Sequence, residues 1–501
     1  VGTRHGIFRQ QTMARYVPIR SILLIGVLLA ATPVANAQRI SGLQAALAIE
    51  KTLVDVIARS EKSVVAIARV RKQRADKTFD FEFRPDPFGR PTIRAADPQP
   101  TDPDFVPNEY GTGVVIGRRG LILTAYHVLG DDSDHYVRTQ DRKIYRARIK
   151  AADPRSDLAV LEVDAIDLTP ITFGDASKLR KGQIVITLGN PYAIARDGQV
   201  SAGWGIVANL SRKAPPTPDG TDSTGKRTLH HFGTLIQTDA KLNLGTSGGP
   251  LLNLQGEMIG LTVALAATAG YETSAGYAIP IDETFRRVID TLRDGREVEY
   301  GLLGIQPANL TAAELLAGLR GIRVDRVVRG TPADRFGLRL DDIVTAVDGT
   351  PIYEADALVL EVGKLPVEAV ARLSVIRDGR SRRISVTLAK YPVRGKKIVT
   401  NRPQPWRGMQ VDYATALVDV QPRGQSMPAA FDQGVAVIDV VEGTPAWDAG
   451  LRRSMLITHV NRTPVHTPSR FRDAVAGRFG PIELRLVSDE GNSTLTVAAG
   501  P

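Results

Sequence analysis

Residues 242–253 read LNLGTSGGPLLN, with three glycines and a proline within three positions of Ser247. Fixing a glycine costs more chain entropy than fixing any other residue, so such a cluster indicates backbone that must take an unusual shape. An ordinary turn needs fewer glycines. We therefore predict a tight loop that presents the Ser247 hydroxyl and directs backbone N–H groups at a reacting oxygen.

This interpretation requires a base, because a serine hydroxyl becomes a good nucleophile only when a positioned imidazole takes its proton. The chain has seven histidines. His127 follows the apolar, strand-like segment GLILTAY, which would hold it rigidly, and we predict it as the base. His135 ends the acidic stretch DDSDH, which is typical of a surface turn. His230 and His231 follow a stretch rich in Pro, Gly and Asp and are predicted to lie on a loop.

A carboxylate must hold the other ring nitrogen of that histidine. Asp157 directly precedes the buried-looking strand LAVLEV, where a carboxylate is partly desolvated and fixed in direction. Asp153 precedes a proline and is typical of a turn. Asp239, just before the glycine-rich loop, is the main competitor. The sequence thus predicts the order His127, Asp157, Ser247.

About ten short segments of β-branched and apolar residues, broken by turn signals, occupy residues 111–280. This spacing predicts antiparallel β-barrels or sandwiches. Residues 40–60 predict a helix and residues 63–70 a strand. Residues 282–295 predict a second helix, capped by Asp282 and ended by Gly295.

Residues 327–339 (VVRGTPADRFGLR) and 440–452 (VVEGTPAWDAGLR) agree at nine of thirteen positions. Two copies of one module therefore follow the β-rich body, and we place them at 299–391 and 404–500. A basic, proline-containing linker, residues 390–405, separates them. Residues 74–110 are rich in Pro and Asp without periodicity and predict a long mobile arm.

The composition excludes several classes of protein. There is no cysteine, which rules out disulfides, thiolate catalysis and cysteine-ligated zinc. No H-E-x-x-H or Walker-type motif occurs, so we expect no metal, no ATP and no other cofactor. The formal charge is +10, but the 64 basic residues are scattered, which does not favour nucleic-acid binding.

The N-terminal region has the pattern of a secretory signal. Arg15 and Arg20 precede an apolar stretch at 22–31, and Ala35 to Ala37 form a small-residue cleavage site. We predict a signal peptide over residues 1–37 with translation starting at Met13, and an exported protein of the periplasm or cell envelope. The apolar core is short for a membrane span, although an uncleaved anchor stays an alternative.

Three segments resemble the triad segments of the HtrA/DegP family of serine proteases: LILTAYHV, DPRSDLAVL and GTSGGPLLN. LGNPY, IQTDAKLN and GYAIP also resemble that family, and the two repeats resemble its PDZ domains. The resemblance covers about residues 40 to 500. The chain departs from the family at Thr246 and Tyr126, where asparagine is common, and at Leu244, where proline is common. None of these changes removes a reacting atom.

The resemblance implies a mainly β protein, with a chymotrypsin-like double β-barrel protease domain followed by two PDZ-like α+β domains. The protease domain would span about 40–295, with the N-terminal helix, strand and arm at 38–110 and the remainder at 111–295. It implies Ser247 as nucleophile, His127 as base, Asp157 as orienting acid, and an oxyanion hole of the Gly245 and Ser247 N–H groups. It also implies a homotrimer or larger oligomer with no permanent membrane span after signal cleavage.

Substrate contacts are predicted at two places. Lys241 stands six residues before the serine, where trypsin-like pockets carry an acid, so we expect an aliphatic rather than a basic preference. The predicted binding residues are Leu242, Thr246 and Leu261 in the protease domain and Leu302, Leu303, Gly304 and Ile305 in the first repeat. The latter four resemble the loop with which PDZ domains bind a terminal carboxylate. RGMQV (407–411) is the weaker candidate in the second repeat.

Two functions therefore stay open from the sequence. The first is an exported, ATP-independent serine endopeptidase that cleaves unfolded or damaged proteins, with PDZ domains that bind peptide C-termini or extended segments. The second is a protease-derived holdase chaperone or peptide-binding scaffold with little turnover.

Overall fold

The computed structural model describes residues 42–72, 109–190, 199–214, 226–263, 276–417, 434–488 and 491–499. The described chain divides into two units, the first ending at Lys51 and the second beginning at Thr52. Helix α1 (Gly42–Ser60) confirms the helix predicted from the sequence. The predicted signal segment and most of the predicted arm lie outside the described residues. No helix in the described part of the chain is both long and apolar enough to cross a membrane.

The β-rich body begins with a six-stranded antiparallel barrel in the order β5-β4-β1-β2-β3-β6, closed by pairing of β5 with β6. Its strands are β1 Val64–Arg71, β2 Glu109–Gly117, β3 Leu121–Ala125, β4 Ser133–Arg138, β5 Ile144–Asp153 and β6 Leu158–Val163. In β6 the residues Leu158, Ala159, Val160 and Leu161 have no exposed surface. This strand therefore runs through the barrel core, as its continuous apolar sequence predicts.

Strand β4 lies where the sequence analysis placed a surface turn, so that expectation for His135 was wrong. Alternate residues of β4 point inward, and His135 is only 4% exposed. Its Nε2 lies 2.9 Å from the carbonyl oxygen of Leu129. Of the acidic residues that suggested a turn, Asp131 and Asp132 precede β4 and only Asp134 lies on the strand, next to the inward-facing His135, so they hid the alternation that marks a half-buried strand.

A second closed barrel follows in the order β10-β11-β12-β9-β8-β7. Its strands are β7 Ile184–Gly189, β8 Ser201–Arg212, β9 Leu235–Thr238, β10 Pro250–Leu252, β11 Met258–Val263 and β12 Gly276–Pro280. Helix α2 (Glu283–Arg293) ends the domain and buries Phe285, Val288, Ile289 and Leu292. Asp282 caps it by accepting the Phe285 N–H at 3.0 Å, as predicted.

The two repeats form two β-sheet domains with the same strand order, β14-β15-β16-β18-β19 and β22-β23-β24-β26-β27, and each has its own hydrophobic core. The first contains β13 Gly301–Leu302, β14 Ile305–Asn309, α3 Ala312–Leu316, β15 Ile322–Val327, α4 Pro332–Arg335, β16 Ile343–Val347, β17 Thr350–Pro351, α5 Ala355–Lys364, β18 Val370–Arg377, β19 Arg380–Thr387 and β20 Ala389–Lys390. The second contains β22 Met409–Tyr413, β23 Val435–Val440, α6 Pro445–Asp448, β24 Leu456–Val460, β25 Thr463–Pro464, α7 Pro468–Val475, β26 Ile482–Ser488 and β27 Gly491–Val497.

The segment between the repeats is more than a linker. Strand β21 (Ile398–Val399) pairs antiparallel with Ala151 and Ala152 of β5 and so extends the first barrel of the protease domain. Thr400 reinforces the pairing, because its Oγ1 donates to the Lys150 carbonyl at 2.7 Å. The strand consists of two apolar residues within a basic stretch. Two residues are too few to show the alternation by which a strand is predicted from sequence.

Candidate active site

The imidazole of His127 and the carboxylate of Asp157 meet at one end of the first barrel. His127 follows strand β3 and Asp157 precedes β6, and these two strands are neighbours. The His127 Nδ1 lies 2.8 Å from Asp157 Oδ2 and 3.1 Å from Oδ1. The backbone N–H of His127 also donates to Oδ1 at 3.0 Å. Both the ring and the backbone of His127 are therefore fixed against one carboxylate.

The backbone of Asp157 is itself held in an uncommon conformation. Its φ is +56°, in the left-handed region that non-glycine residues seldom occupy. Its carbonyl accepts the Tyr126 N–H at 2.9 Å, which ties this turn to the residue before His127. Strain of this kind persists only where the surroundings fix it, and it concentrates at functional sites.

The two groups shift each other's ionisation. Burial lowers the pKa of His127, but the charge of Asp157 and its hydrogen bond outweigh burial, so the pKa lies above the ordinary 6.5. Burial raises the pKa of Asp157, but the interaction with His127 outweighs it, so the pKa lies below the ordinary 3.8. With Asp157 ionised, Nδ1 carries the hydrogen, and Nε2 is left to accept a proton.

The competing aspartates are engaged elsewhere. Asp239 is exposed, and its Oδ1 accepts the Ile206 N–H on β8 at 2.6 Å. Asp153 ends β5 directly before the turn at residues 154–157, in keeping with the turn predicted from the sequence, and it is only 2% exposed. Its Oδ2 accepts the Tyr300 hydroxyl and the Ser156 N–H. Burial raises the pKa of Asp153.

The loop that carries Ser247 is anchored on strand β2 of the first barrel. The Thr112 N–H donates to the Ser247 carbonyl at 2.9 Å. A Cβ placed on Gly111 would lie 2.6 Å from Val128 Cγ1 and 3.4 Å from the backbone carbonyl oxygen of Ser247. The serine loop and the residue that follows His127 thus meet over the same glycine of β2. This packing brings the loop of Ser247, from the second barrel, next to His127.

The glycines of this loop are required by close backbone contacts. Gly245 has φ +92°, and a Cβ there would lie 2.4 Å from the Asn190 carbonyl oxygen. The unusual backbone predicted for Gly245 is therefore present, and within the described residues its N–H donates to no protein acceptor. A Cβ on Gly248 would strike the carbonyl oxygen of Thr112 (2.1 Å), and one on Gly249 would strike that of Leu188 (2.2 Å), so packing against these strands explains both glycines.

Two supporting residues escaped the sequence analysis. Thr112 Oγ1 donates to the Gly245 carbonyl at 2.7 Å and accepts the Asn190 N–H at 2.9 Å. His230 is not on an exposed loop: it is buried in a 3₁₀ helix, with Nε2 2.9 Å from the Ser156 carbonyl. Burial lowers the pKa of His230 to about 4, so this imidazole is neutral and donates to the loop of the catalytic candidate Asp157. The only sequence signal for Thr112 was a polar residue within an apolar strand.

The residues predicted for the protease pocket differ in exposure. Leu242 is half-buried and packs against Gly276, whose Cβ would lie 2.8 Å from Leu242 Cδ1. Thr246 donates its hydroxyl to the Asn243 carbonyl at 2.7 Å. Leu261 has no exposed surface and lies in the hydrophobic core of the domain. Its pocket role stays a prediction, whereas Leu242 has surface to offer a substrate.

The predicted carboxylate-binding loop, Leu302 to Ile305, opens a groove in the first repeat. The carbonyls of Leu303 and Gly304 accept backbone N–H groups at 2.8 and 2.9 Å, while their own N–H groups have no acceptor in the described chain. A pocket of about 110 Å³ lies here between the loop, the edge strand β14 and helix α5. Its apolar lining includes Leu358 and Val362. The described residues contain no cluster of His, Asp and Glu side chains suited to a metal ion.

This fold and this pair of residues define a chymotrypsin-like serine protease that carries PDZ domains. Residues 111–261 match the trypsin-like peptidase domain, and residues 301–388 match the PDZ domain. The "Probable periplasmic serine endoprotease DegP-like" of Chlamydia muridarum (strain MoPn / Nigg) is 31% identical over 417 residues, which cover 82% of this chain and 78% of that protein. The protein of the same name from Hahella chejuensis (strain KCTC 2396) is 29% identical over 88% of this chain and 92% of its own length.

Among solved structures, the "HtrA-type protease AlgW with tripeptide" shares the fold, with a TM-score of 0.51 and 24% identity over 68% of this chain and 97% of that chain. The chain belongs to the HtrA/DegP family of serine endoproteases. The predicted mainly β architecture, a double barrel followed by PDZ domains, is confirmed. The comparisons do not favour the alternative of a holdase or scaffold without turnover.

Proposed function

We propose that the chain is an exported, ATP-independent serine endopeptidase that cleaves unfolded or damaged proteins, with Ser247 as nucleophile, His127 as base and Asp157 as orienting acid. The observation that carries this proposal is the pair of contacts from Asp157 to the His127 ring at 2.8 Å and to its backbone N–H at 3.0 Å. The loop of Ser247 packs on the strand beside this pair. The relatives' names, which place them in the periplasm, support the proposed location.

In this reaction the Ser247 Oγ attacks a peptide carbonyl carbon while His127 Nε2 takes the hydroxyl proton. His127 then gives that proton to the leaving amine, and an acyl-enzyme forms on Ser247. A water molecule, deprotonated by the same imidazole, releases the acyl group. The N–H groups of Gly245 and Ser247 stabilise the oxyanion, and each such donor is worth about 3 kcal/mol of barrier. Asp157 stabilises the imidazolium without taking its proton.

The test is casein cleavage by the mature chain beside a Ser247→Ala variant. We expect a rate loss on the order of a millionfold. Ser381→Ala, which alters an exposed serine on β19, is the matched control and should cleave at the wild-type rate. A fluorophosphonate should label Ser247 as judged by peptide mass. Equal loss of casein in both the wild type and Ser247→Ala would overturn the proposal and leave a binding role.

The protease pocket is proposed to accept aliphatic side chains. Leu242 supplies apolar surface beside the serine loop, and Lys241, which is exposed, cannot pair with a basic side chain. Peptide substrates that differ only in having Val, Leu or Lys before the scissile bond measure this preference. Faster cleavage after Lys would contradict it.

The first PDZ domain is proposed to bind peptide C-termini, or extended segments, as an added strand beside β14. The groove between β14 and α5 and the donors of Leu303 and Gly304 support this role.

We also propose a homotrimer or larger assembly to which the 74–110 arm contributes. A monomeric mass of the mature chain by light scattering would contradict the assembly, and N-terminal sequencing of the exported protein tests cleavage after Ala37.

A further inference from the structure

One buried arginine has no partner that the reaction or the fold explains. Arg155 lies two residues before Asp157 and is only 2% exposed. Within the described part of the chain, its Nε has no hydrogen-bond acceptor and no carboxylate forms an ion pair with it. Its guanidinium carbon stacks 3.7 Å from the centre of the Tyr391 ring and 5.3 Å from that of Tyr300. A cation is therefore held rigidly between two aromatic rings and lacks an anion.

Such an arrangement is unfavourable by itself. A buried charge without a partner carries a large desolvation penalty, and stacking on aromatic rings offsets only part of it. The carboxyl group on the same turn, Asp153, accepts the Tyr300 hydroxyl and the Ser156 N–H with Oδ2, while its Oδ1 has no hydrogen-bond partner among the described residues; it makes no ion pair with Arg155. Buried guanidinium groups of this kind fit a carboxylate or phosphate ligand, which the planar fork binds through two parallel hydrogen bonds.

Arg155 lines the ligand groove of the first PDZ domain, although it belongs to the protease domain. The pocket at the loop Leu302 to Ile305 is bounded by Arg155 and Tyr391 as well as by helix α5. A Cβ placed on Gly363, in the last turn of α5, would lie 3.1 Å from the Arg155 Nη2. The Arg155 side chain therefore lines the same pocket as Leu303 and Gly304. The N–H groups of these two loop residues also have no acceptor in the described chain.

We propose that Arg155 of the protease domain is the cationic anchor of the first PDZ domain and binds the terminal carboxylate of a peptide in that groove. The inference rests on the proposed peptide-binding role of this domain. The two carboxylate oxygens accept from the guanidinium on one side and from the loop N–H groups on the other. The binding site is thus shared between two domains, and a peptide binds tightly only while the first PDZ domain is docked on the protease domain.

The test compares two peptides on the full-length chain, which carries Ser247→Ala to prevent cleavage. The peptides are fluorescent decapeptides ending in valine, identical except that one has a free carboxylate and the other a C-terminal amide. Fluorescence anisotropy measures both affinities. We expect the carboxylate peptide to bind roughly 10- to 100-fold more tightly, the range for a hydrogen bond to a charged group. Arg155→Met should lose most of this preference while its affinity for the amide stays unchanged.

Arg382→Met, which removes an exposed arginine on β19 of the same domain, is the matched control and should keep the full preference. If Arg155→Met weakens binding of both peptides, Arg155→Lys decides the matter: a restored carboxylate preference supports the anchor, and an absent one overturns it. An undiminished preference in Arg155→Met also overturns the anchor while leaving the peptide-binding role intact. Failure of both peptides to bind the parent chain would overturn the peptide-binding role and the anchor together.

Discussion

The two PDZ-like domains share a backbone design at the loop that would bind a ligand. In the first, the Gly304 carbonyl accepts the Val328 N–H, and in the second the Gly408 carbonyl accepts the Val441 N–H, both at 2.9 Å. The two glycines have φ values of +90° and +85°. A Cβ on Gly304 would strike Thr331, at the start of α4, and one on Gly408 would strike Thr444, at the start of α6. Sequence repetition is therefore matched by repetition of the loop geometry.

The two loops differ in the arginine that accompanies them. In the second domain the loop itself supplies Arg407, whose guanidinium donates to four carbonyl oxygens of its own domain. The acceptors are Val497 (2.9 Å), Ala498 (2.6 Å), Arg478 (3.2 Å) and Gly480 (2.6 Å). In the first domain the corresponding loop position is Leu303, and the arginine is Arg155 of the protease domain, whose guanidinium has no acceptor among the described residues. A guanidinium saturated by carbonyls supports the fold, whereas one without acceptors is available to a ligand.

The two PDZ domains also differ in the parts of the chain that they contact. The first PDZ domain adjoins the turn that holds Asp157, and the second is linked to it through Lys390. Lys390 is 3% exposed and pairs with Glu297 (3.1 Å), Glu299 (3.2 Å) and Asp412 (2.7 Å). Its burial lowers the pKa, but the three carboxylates outweigh burial and raise it. Because Asp412 lies on β22, this buried cluster fastens the second domain to the first.

Among the residues near the two PDZ domains, the largest expected effect is on kcat, from a substitution of Asp157 in the turn that adjoins the first PDZ domain. Asp157→Asn should lower kcat about 10,000-fold, because the neutral amide no longer fixes the tautomer of His127 or stabilises its imidazolium. Steady-state kinetics on a peptide substrate measures this. Peptide affinity of the first PDZ domain should be unchanged, since Arg155 is retained. A kcat within tenfold of the wild type would remove Asp157 from the proposed triad.

The next effect concerns the attachment of the second domain. Lys390→Met removes a buried cation from three half-buried carboxylates, of which Glu297 keeps a second partner in Lys397, and should lower the free energy of unfolding by about 3 kcal/mol. Chemical denaturation and limited proteolysis between the domains measure the loss. Lys143→Met is the control, because its pair with Asp141 is exposed and should contribute less than about 1 kcal/mol. An equal effect of both variants would show that the cluster does not fasten the domains.

A smaller difference is expected in the free energy of unfolding when Arg407 and Arg155 are each replaced. Arg407→Ala removes the guanidinium that donates to four carbonyl oxygens, of which only that of Val497 belongs to a buried residue, and should destabilise the second PDZ domain by about 1–3 kcal/mol. Arg155→Met removes a buried cation that has no protein acceptor, so the unfolding free energy should stay level or rise. Thermal unfolding of both variants without peptide measures the difference. Destabilisation by Arg155→Met as large as that of Arg407→Ala would mean that Arg155 supports the fold.

The smallest effect is a shift in pH dependence. His127 must be neutral to accept a proton, and its pKa is raised above 6.5 by Asp157. The acid limb of kcat/KM should therefore lie above pH 6.5, with activity lost as the pH falls through the raised pKa. In Arg407→Ala the limb should stay in place, because that residue lies in the second PDZ domain. In Asp157→Asn the residual activity should have its limb at lower pH.

Local sequence determined most of the framework. Short apolar runs such as LAVLEV indicated the strands, Asp282 indicated the start of α2, and the GTPA repeat indicated two PDZ domains. The predicted order of His127, Asp157 and Ser247 also came from local signals, because His127 follows an apolar segment, Asp157 precedes one and Ser247 lies within a glycine cluster. All of these signals are local, because side-chain periodicity and backbone preference are properties of short segments of sequence.

Tertiary structure alone decided the rest. The sequence could not show that β21 joins the protease barrel, that His135 and His230 are buried, or that Arg155 enters the groove of another domain. Each of these outcomes depends on residues tens to hundreds of positions away, whose contacts change the cost of burying a polar group. A short pattern carries the preferences of its own backbone, but the partner that satisfies a buried charge is chosen only when distant segments pack together.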